Sequence, residues 1–280
     1  MRAFVVTVGA DEVDAASDAL WQLGVRAIEE RHGAAGRVEL WTAVGEAPDA
    51  LVRADTSLGE RWPTRIVEVD DTAADTWRDF ATPMWVDDGL VIVPAWQQHS
   101  FDPGVVAIEI EPGGAFGLGD HPTTLLSLRA AQRHLGAGRD VLDVGCGTGV
   151  IAVMAAMVGD SSVRAVDVAS AAVEATQDNA ARNGVADRVE ADTTAAADLD
   201  GRFHLVVANI LAPTLVELAE HLRRLTAPDG RLVVSGILAD RHDHVLAALA
   251  PMVVERTDIL DGWAAVTLRH DAAVAQRQPA

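Results

Sequence analysis

The clearest pattern of hydrophobic and polar positions begins at Asp140 and runs almost to the end of the chain. Short apolar runs alternate there with longer segments in which apolar residues recur every three or four positions. The short runs predict strands and the longer segments predict helices. Repeated β-α alternation predicts a parallel sheet with right-handed crossovers. The predicted strands lie near 140–144, 163–167, 188–191, 203–208 and 231–235, and the predicted helices lie near 149–158, 170–182, 213–225 and 239–249.

The pattern changes near the end of the chain. Two strand-like runs, 253–260 and 263–268, are separated by Asp261-Gly262, a dipeptide typical of a two-residue hairpin turn. The parallel sheet is therefore expected to end in an antiparallel strand.

The first 70 residues show a separate pattern, with elements in the order β-α-β-β-α-β. That order predicts a small α+β unit of the ferredoxin-like type. Alternating apolar positions predict the strands, and helical spacing or a first-turn proline predicts the helices. The predicted strands cover 2–8, 25–29, 37–44 and 65–69, and the predicted helices cover 11–23 and 48–58.

Polar residues at 70–75 mark a boundary after this unit. A short helix near 76–80 is expected to form a connecting arm. Two strands around a turn, 90–93 and 105–110, are expected to lead into the larger domain. The expected divisions are a ferredoxin-like substrate-recognition domain at 1–70, a linker with connecting strands at 71–103, the larger domain at 104–270 and a disordered tail at 271–280.

A glycine-rich loop follows the first strand of the parallel sheet. The strand contains Asp143, and Gly145, Gly147 and Gly149 then occupy alternate positions before an apolar helical segment. Glycine allows positive φ angles and lets a ligand approach bare backbone, and the helix start beyond the loop offers unpaired N–H groups. Ligands of open parallel sheets bind beyond the carboxyl ends of the strands. This loop is therefore the first candidate for a ligand site.

Three interpretations of the glycine loop compete. A dinucleotide-binding loop would carry its third glycine at position 150, where this chain has Val150, and the phosphate-binding loop requires a lysine that the chain lacks. The remaining pattern, acid-x-G-x-G-x-G, resembles motif I of the S-adenosylmethionine methyltransferases. A tight turn that binds nothing is the third interpretation.

A second glycine-rich segment, residues 111–124, precedes the first strand of the sheet. It contains Phe116 and ends at a helix start, where Asp120 or His121 is the candidate cap and Pro122 occupies the first turn. In front of the sheet, such a segment could fold over a bound ligand as a lid. An ordinary flexible loop is the alternative.

Acidic residues stand at the ends of the first three predicted strands. Asp167, which lies 22 residues after Gly145, is interpreted as the partner of two ribose hydroxyls, with helix capping as the alternative. Asp192 is interpreted either as an acceptor for an adenine amino group or as a loop residue without that role. Asp143 is expected to orient the glycine loop and to offset the positive charge of a sulfonium.

Asn209 ends the fourth strand and is followed by Ile210 and Leu211. An amide there can accept a hydrogen bond from an attacking amine and donate one to a cofactor. Helix capping is again the alternative. We expect Asn209, Ile210 and Leu211 to position the methyl acceptor.

Composition narrows the class of partner and the compartment. The net charge is −20 and every basic residue is arginine, which argues against a nucleic-acid backbone as the main partner and favours a basic one. Apolar runs stay well short of the ~18 residues of a membrane span, and the amino-terminus turns acidic too early for a secretory signal. The single cysteine, Cys146, fits a reducing compartment and is interpreted as a small residue beside a ligand. These features predict a cytoplasmic protein.

Six motifs together resemble the ribosomal protein L-eleven methyltransferase (PrmA) family. They are AFGLGDHPTT, LDVGCGTGVIA, AVDV, DNAARNGV, VVANILA and SGILA, and the resemblance extends over residues 77–263. It implies a Rossmann-like class I methyltransferase domain after a ferredoxin-like domain, joined by a linker with tryptophans such as Trp77 and Trp96. The family's lid commonly has threonines where Leu118 and Asp120 stand here.

The resemblance also implies a set of cofactor residues. By position, the family's S-adenosylmethionine contacts fall on Thr124, Gly145, Asp167 and Asn209. The wider set of expected cofactor contacts adds Phe116, Asp143, Gly147, Gly149 and Asp192.

The activity implied is methyl transfer from S-adenosylmethionine to lysine side-chain and amino-terminal amines of a basic ribosomal protein, leaving S-adenosylhomocysteine. In-line displacement at a sulfonium needs no metal, so no metal is expected. A monomer that binds neither nucleic acid nor membrane is expected. Two alternatives stay open: a related methyltransferase that acts on another protein lysine or a small amine, and a non-catalytic regulator that binds S-adenosylmethionine.

Overall fold

A computed structural model of the chain describes residues 2–9, 12–23, 25, 28–33, 36–42, 50–59, 61–68, 81–112 and 121–271. The chain divides into two compact units, residues 1–81 and residues 82–280. Several predictions lie outside the described residues: the arm near 76–80 with Trp77, the part of the lid segment that contains Phe116, Leu118 and Asp120, and all of the tail except Asp271.

The described part of the first unit contains a four-stranded antiparallel sheet with spatial order β2-β3-β1-β4. Apolar residues at alternate positions of its strands, such as Phe4, Val6 and Leu40, pack with Leu20 of the first helix to form a core. The element order β-α-β-β-α-β agrees with the predicted order. The elements are β1 (Arg2–Val8), α1 (Val13–Gln22), β2 (Glu29–His32), β3 (Val38–Thr42), α2 (Ala50–Leu58) and β4 (Thr64–Glu68).

The strand predicted over 25–29 was wrong in position, because β2 covers Glu29–His32. Val25 is buried and Ile28 packs against the core, so the apolar residues that suggested the strand precede it. Within the described residues β2 has only β3 as a neighbour. A short, polar edge strand carries no apolar alternation, which is why the pattern missed it.

The second unit begins with a small sheet of order β5-β6-β7, formed by β5 (Met84–Asp87), β6 (Leu90–Pro94) and β7 (Val106–Ile110). β6 and β7 pair in parallel, so the two predicted strands do not form a hairpin with each other. β5 is the antiparallel partner of β6. This four-residue strand was not predicted, because it is too short to show an alternating pattern.

The rest of the second unit is a mixed α/β sheet, as predicted. Its strand order is β10-β9-β8-β11-β12-β14-β13, with parallel pairs from β10 to β12 and antiparallel pairs beyond. The elements are α3 (Pro122–Gln132), β8 (Asp140–Val144), α4 (Val150–Gly159), β9 (Ser162–Val166), α5 (Ser170–Arg182), β10 (Val189–Asp192), β11 (Phe203–Asn209), α6 (Ala212–Leu225), β12 (Thr226–Leu238), α7 (Asp243–Ala248), β13 (Val253–Leu260) and β14 (Trp263–Arg269).

The predicted hairpin is confirmed. Asp261 and Gly262 have φ angles of 49° and 80°, and positive φ at both central residues is the requirement of a type I′ turn. β12 is longer than predicted, because the turn-like residues 228–230 lie inside the strand, where its pairing with β11 is irregular.

Helices cover both faces of the large sheet. On one face α3, α4 and α5 contribute residues such as Leu128, Met154 and Val173 to a buried cluster. On the other face α6 and α7 contribute Leu215 and Val245 to a second cluster. None of the helices in the described part of the chain is both long and apolar enough to cross a bilayer.

Candidate functional site

The candidate site lies at the carboxyl ends of β10, β9, β8, β11 and β12. The crossovers after β8 lead to β9 and then β10 on one side, whereas β11 and β12 lie on the other. The chain thus reverses its direction across the sheet between β8 and β11. In open α/β sheets this switch point is where ligands bind.

The glycine loop after β8 is tied to the end of β9. The backbone N–H groups of Gly145 and Cys146 both donate to the carbonyl of Val166, at 2.8 and 3.2 Å. Gly145, Gly147 and Gly149 have φ angles of 74°, 55° and 76°. L-amino acids with side chains rarely adopt these angles, so the loop needs its glycines.

Two of these glycines also leave no room for a side chain. A Cβ on Gly145 would lie 2.3 Å from Cγ2 of Ile210. A Cβ on Gly149 would lie within 2.9 Å of three atoms of Thr176 on α5. The loop is therefore held closely between the segment after β11 and helix α5.

Asp167 follows β9 directly and carries two hydrogen bonds. Its Oδ2 accepts the N–H of Gly147 at 3.1 Å, and its Oδ1 accepts the N–H of Ala169 at 3.0 Å. The second bond reaches the residue at the N-cap position of α5, a helix whose first turn has no side-chain cap, so it is not the helix cap that the sequence offered as the alternative role. The first bond joins the carboxylate to the glycine loop, and an ionised carboxylate has further acceptor sites for hydroxyl donors.

Asp143 is the most unusual group of the site. It is 1% exposed, and within the described chain neither carboxylate oxygen accepts a hydrogen bond of ordinary geometry, although the backbone N–H of Ala152 interacts with the carboxylate. Burial raises the pKa of Asp143 to about 7, the backbone N–H of Ala152 lowers it in part, and the charge of Asp167 raises it further. Near neutral pH this carboxyl therefore exists in both protonation states.

Asp192 is the last residue of β10, and its side chain interacts with Arg164 and Thr194. Its carboxylate forms an ion pair with Arg164 and accepts the N–H of Thr194 at 2.8 Å. Burial raises the pKa of Asp192, but the hydrogen bonds from Thr194 and the charge of Arg164 outweigh it, so the pKa is lowered. Asp192 is therefore an ionised acceptor whose side chain is partly committed to Arg164.

The segment after β11 lies at the switch point. Asn209 ends the strand, in register with Ser235 of β12, and Leu211 is 47% exposed. On the far side, a Cβ on Gly236 would lie 2.4 Å from the carbonyl oxygen of Ile210. Ile210 is thus packed between Gly145 and Gly236. This packing fixes the backbone position of its two neighbours, Asn209 and Leu211.

Thr124 lies in the first turn of α3. His121 caps this helix by accepting the N–H of Thr123 and Pro122 follows it, as the sequence predicted. The hydroxyl of Ser235 donates to the carbonyls of Thr123 and Ala264 at 3.4 and 3.1 Å, so this turn lies beside the end of β12. Oγ1 of Thr124 is buried without a hydrogen-bond partner among the described residues.

Cys146 is buried inside the glycine loop. Burial raises the pKa of its thiol to about 12, and the charge of Asp143 raises it further. The hydroxyl of Thr176 lies 3.2 Å from its sulfur. A thiol with this pKa stays protonated at neutral pH, so it is not a nucleophile.

These residues fit a ligand that offers both hydroxyl groups and positive charge. Buried polar atoms almost always have a hydrogen-bond partner, yet within the described chain Thr124 Oγ1 has none and the Asp143 carboxylate accepts none of ordinary geometry. The glycine loop presents backbone that side chains cannot cover. A nucleoside-type ligand with a cationic group would supply the missing partners.

A comparison with family models shows the family to which the chain belongs. A model described as ribosomal protein L11 methyltransferase (PrmA) matches residues 6–271. The chain belongs to this family.

Individual members of the L11 methyltransferase family are also similar in sequence to this chain. A ribosomal protein L11 methyltransferase of Geobacter metallireducens is 40% identical over 221 residues, which cover 78% of this chain and 69% of the relative. One from an Exiguobacterium species is 36% identical over 205 residues, covering 72% of this chain and 66% of the relative. The matched segments thus span about two thirds of these relatives' length.

A solved structure of the same family has a similar fold. The crystal structure of a ribosomal protein L11 methylase from Lactobacillus delbrueckii subsp. bulgaricus superposes with a TM-score of 0.64 at 31% identity. The superposition covers 68% of this chain and all of the other.

Four residues of the site were missed as functional candidates from the sequence. Thr176, Asn179, Ser235 and Gly236 all contact the glycine loop, the first turn of α3 or the segment after β11. Asn179 lies in the DNAARNGV motif, and Ser235 and Gly236 lie in SGILA, so the motifs contained a signal for these three. Thr176 lies outside all six motifs. Their partners are far away in sequence, so a local pattern could not show the contacts.

Proposed function

We propose that this chain transfers methyl groups from S-adenosylmethionine to amines of a basic ribosomal protein, the L11 protein that its relatives' names specify. The observation that carries the proposal is the hydrogen bond between Gly147 and Asp167 at the switch point. It places the glycine loop and an acid next to each other, as a nucleoside cofactor requires.

We propose these cofactor contacts for the described residues. Asp167 would accept the ribose hydroxyls, and Gly145, Gly147 and Gly149 would let the cofactor approach the backbone. Thr124 would bond to the cofactor through its unpaired hydroxyl, and Asp192 would accept the adenine amino group. Asp143 would offset the positive charge, with Asn209 donating from the other side. Phe116, also expected from the sequence to contact the cofactor, lies outside the described residues.

The bound cofactor supplies a methyl group on a positively charged sulfur. The chain's own task is then to position the acceptor amine in line with that methyl group, and positioning accounts for much of the rate in such reactions. Leu211 and Ile210 provide apolar surface after β11. The amide oxygen of Asn209 would accept a hydrogen bond from the amine and orient its lone pair.

An amine must lose its proton before it can attack. A lysine with a pKa of about 10.4 is neutral in about one molecule in 2,500 at pH 7, a free-energy cost of roughly 4–5 kcal/mol. An apolar environment lowers that cost, because it disfavours the ammonium form. The apolar residues beside Asn209 would therefore contribute to activation as well as to positioning.

The first unit is proposed to be a ferredoxin-like domain that recognises the substrate. Its strand order, β2-β3-β1-β4, and its β-α-β-β-α-β sequence of elements support this assignment. We propose the divisions 1–70, 71–103, 104–270 and 271–280 for recognition domain, linker, catalytic domain and tail. Repeated methylation of different amines would require this domain and the lid to present each amine to one site.

The net charge of −20 supports a basic protein substrate. A ribosomal substrate also implies that the reaction takes place in the cytoplasm. We propose that the enzyme acts as a monomer, without direct binding to nucleic acid.

Isothermal titration with S-adenosylmethionine tests the cofactor site, and mass spectrometry of the ribosomal protein after incubation with enzyme and cofactor tests the transfer. Binding together with methylated amines on the protein is the expected result. Methylation of another protein or a small amine alone would show a related methyltransferase. Binding without methylation of any amine would show a regulator.

A further inference from the structure

Two asparagines four residues apart, Asn179 on α5 and Asn183 at its carboxyl-terminal cap, bind the backbone of β7 and of the residue that follows it. Asn179 accepts the N–H of Glu111 through Oδ1 and donates to the carbonyl of Glu111 through Nδ2, both at 2.9 Å. Asn183 does the same with Glu109, at 2.9 and 2.7 Å. Each side-chain amide thus replaces the peptide group of a neighbouring strand.

The two asparagines differ in one further bond. Nδ2 of Asn179 also donates to the carbonyl of Thr148, at 2.9 Å, inside the glycine loop. Nδ2 of Asn183 instead donates to the carbonyl of Asn179 in its own helix, at 2.8 Å. Asn179 alone of this pair therefore joins β7 to the glycine loop.

The same face of α5 fixes a second carbonyl of the loop. Thr176, three residues before Asn179, donates from Oγ1 to the carbonyl of Gly147 at 3.2 Å. The carbonyls of Gly147 and Thr148 are thus both tied to α5. Because each peptide group is planar, fixing its carbonyl also fixes the direction of the following N–H.

Asn179 lies between the glycine loop and the residue that follows β7. Glu111 follows β7 directly, and Thr148 lies between two glycines with positive φ. Asn179 is fully buried, and its oxygen and both of its N–H donors are engaged in these three bonds. No spare donor remains on the amide to compensate for a lost bond.

We propose that Asn179 is a positioning residue for cofactor binding, which fixes the glycine loop in its binding conformation and ties it to the backbone of Glu111 directly after β7. It acts through the Thr148 carbonyl and the Glu111 backbone without touching the cofactor. This inference rests on the proposed S-adenosylmethionine site.

The test compares Asn179→Asp with Asn183→Asp in the full chain. Either change keeps the acceptor oxygen and the size of the side chain, but removes the donors and brings a charge towards a β7 carbonyl. Only Asn179→Asp removes the bond to the glycine loop. We expect Asn179→Asp to weaken S-adenosylhomocysteine binding at least tenfold in isothermal titration, and Asn183→Asp to change it less than twofold.

Two further readouts separate positioning from general destabilisation. Thermal unfolding measures the loss of stability, which should be larger in Asn179→Asp, because Asn179 is fully buried and Asn183 is half-buried. Hydrogen exchange of the loop amides at 145–149 should become faster in Asn179→Asp alone, and the KM for S-adenosylmethionine should rise more than the KM for the protein acceptor. Equal weakening of binding in both variants, or equal loop exchange, would overturn the inference.

The failure of the proposed function would give a different result. A wild-type protein that binds neither S-adenosylmethionine nor S-adenosylhomocysteine would refute the cofactor site and, with it, the role of Asn179 in cofactor binding. The exchange measurement needs no ligand, so it would still show whether Asn179 fixes the loop.

Discussion

The backbone N–H of Gly147 donates to Oδ2 of Asp167 at 3.1 Å, so one hydrogen bond joins the glycine loop after β8 to the acid at the end of β9. The other carboxylate oxygen accepts the N–H of Ala169, and this second bond fixes the orientation of the carboxylate. The acid is therefore fixed in place before any ligand binds, and its remaining lone pairs can accept hydroxyl protons.

Replacing Asp167 by asparagine should weaken S-adenosylmethionine binding by about 10- to 100-fold. Hydrogen bonds to a charged group contribute about 1.5–3 kcal/mol, and the amide offers one acceptor oxygen instead of two. Isothermal titration measures the effect. Asp187→Asn is the matched control, because it removes the same charge from a side chain that is 81% exposed, and the cofactor proposal for Asp167 fails if both variants bind like the wild type.

The raised pKa of Asp143 predicts a pH-dependent stability. Burial raises this pKa from 3.8 to about 7, so between these values the folded state binds more protons than the unfolded state. Stability contributed by Asp143 is therefore present below about pH 4 and is lost as the pH rises to about 7. The total is at most about 4 kcal/mol, from a shift of about three pK units.

Urea unfolding of the wild type and Asp143→Asn at pH 5 and pH 8 tests this linkage. The neutral amide cannot ionise, so the variant should gain stability relative to the wild type as the pH rises. A difference between the two proteins that stays constant over this range would contradict the burial of an ionisable Asp143.

The same carboxyl predicts proton release on cofactor binding. A cationic ligand near Asp143 favours its ionised form and lowers its pKa. At pH 7 the free protein should therefore release protons when S-adenosylmethionine binds, and the affinity should rise from pH 6 to pH 8. Titrations in two buffers of different ionisation enthalpy measure the protons directly. Equal enthalpies in both buffers for the wild type would place Asp143 away from the charge of the ligand.

Gly145→Ala should strongly weaken cofactor binding through a steric effect. Its Cβ would lie 2.3 Å from Cγ2 of Ile210, and the φ angle of 74° adds backbone strain. Gly184→Ala is the control for strain alone, because Gly184 has a φ of 70° and open space around its Cβ position. Strain of this kind costs roughly 1–2 kcal/mol.

We expect Gly184→Ala to lose about that much stability in urea unfolding and to keep normal S-adenosylmethionine affinity. Gly145→Ala should lose more stability and bind weakly, and adding Ile210→Ala should recover part of the stability. If Gly145→Ala and Gly184→Ala showed similar stability and similar affinity, the contact with Ile210 would not determine the conformation of the loop.

Much of the large sheet could be predicted from the sequence, because its signals are local. Apolar runs such as 203–208 fill buried strands, and Asp261-Gly262 has the φ angles that its turn type requires. The edge strand β2 was predicted in the wrong position and the four-residue β5 was not predicted, because short strands with exposed positions carry little apolar pattern.

The candidate site could be predicted only as a set of strand-end residues. Asp167 and Asn209 follow from the rule that ligands bind at carboxyl ends. The sequence could not predict that Ile210 packs between Gly145 and Gly236. It also could not predict the hydrogen bond from Asn179 to Glu111, which are 68 residues apart. These contacts depend on which strands are neighbours, and that order is a property of the whole sheet.

Removing residues 1–81 should separate cofactor binding from protein methylation. The second unit has its own buried clusters on both faces of its sheet, so it should fold and bind S-adenosylmethionine normally. Without the proposed recognition domain, methylation of the ribosomal protein should fall to background in a radiolabel-transfer assay. Undiminished methylation by the shortened protein would contradict the recognition role.

The central claim is methyl transfer to amines of a ribosomal protein, and intact-protein and peptide mass spectrometry of L11 tests it most directly. The protein is incubated with the enzyme and S-adenosylmethionine, with Asp167→Ala and a reaction without cofactor as controls. We predict added methyl groups on lysine side chains or the amino-terminal amine in the wild-type reaction alone. Unmodified L11 together with methyl groups on RNA or a small molecule would contradict the account.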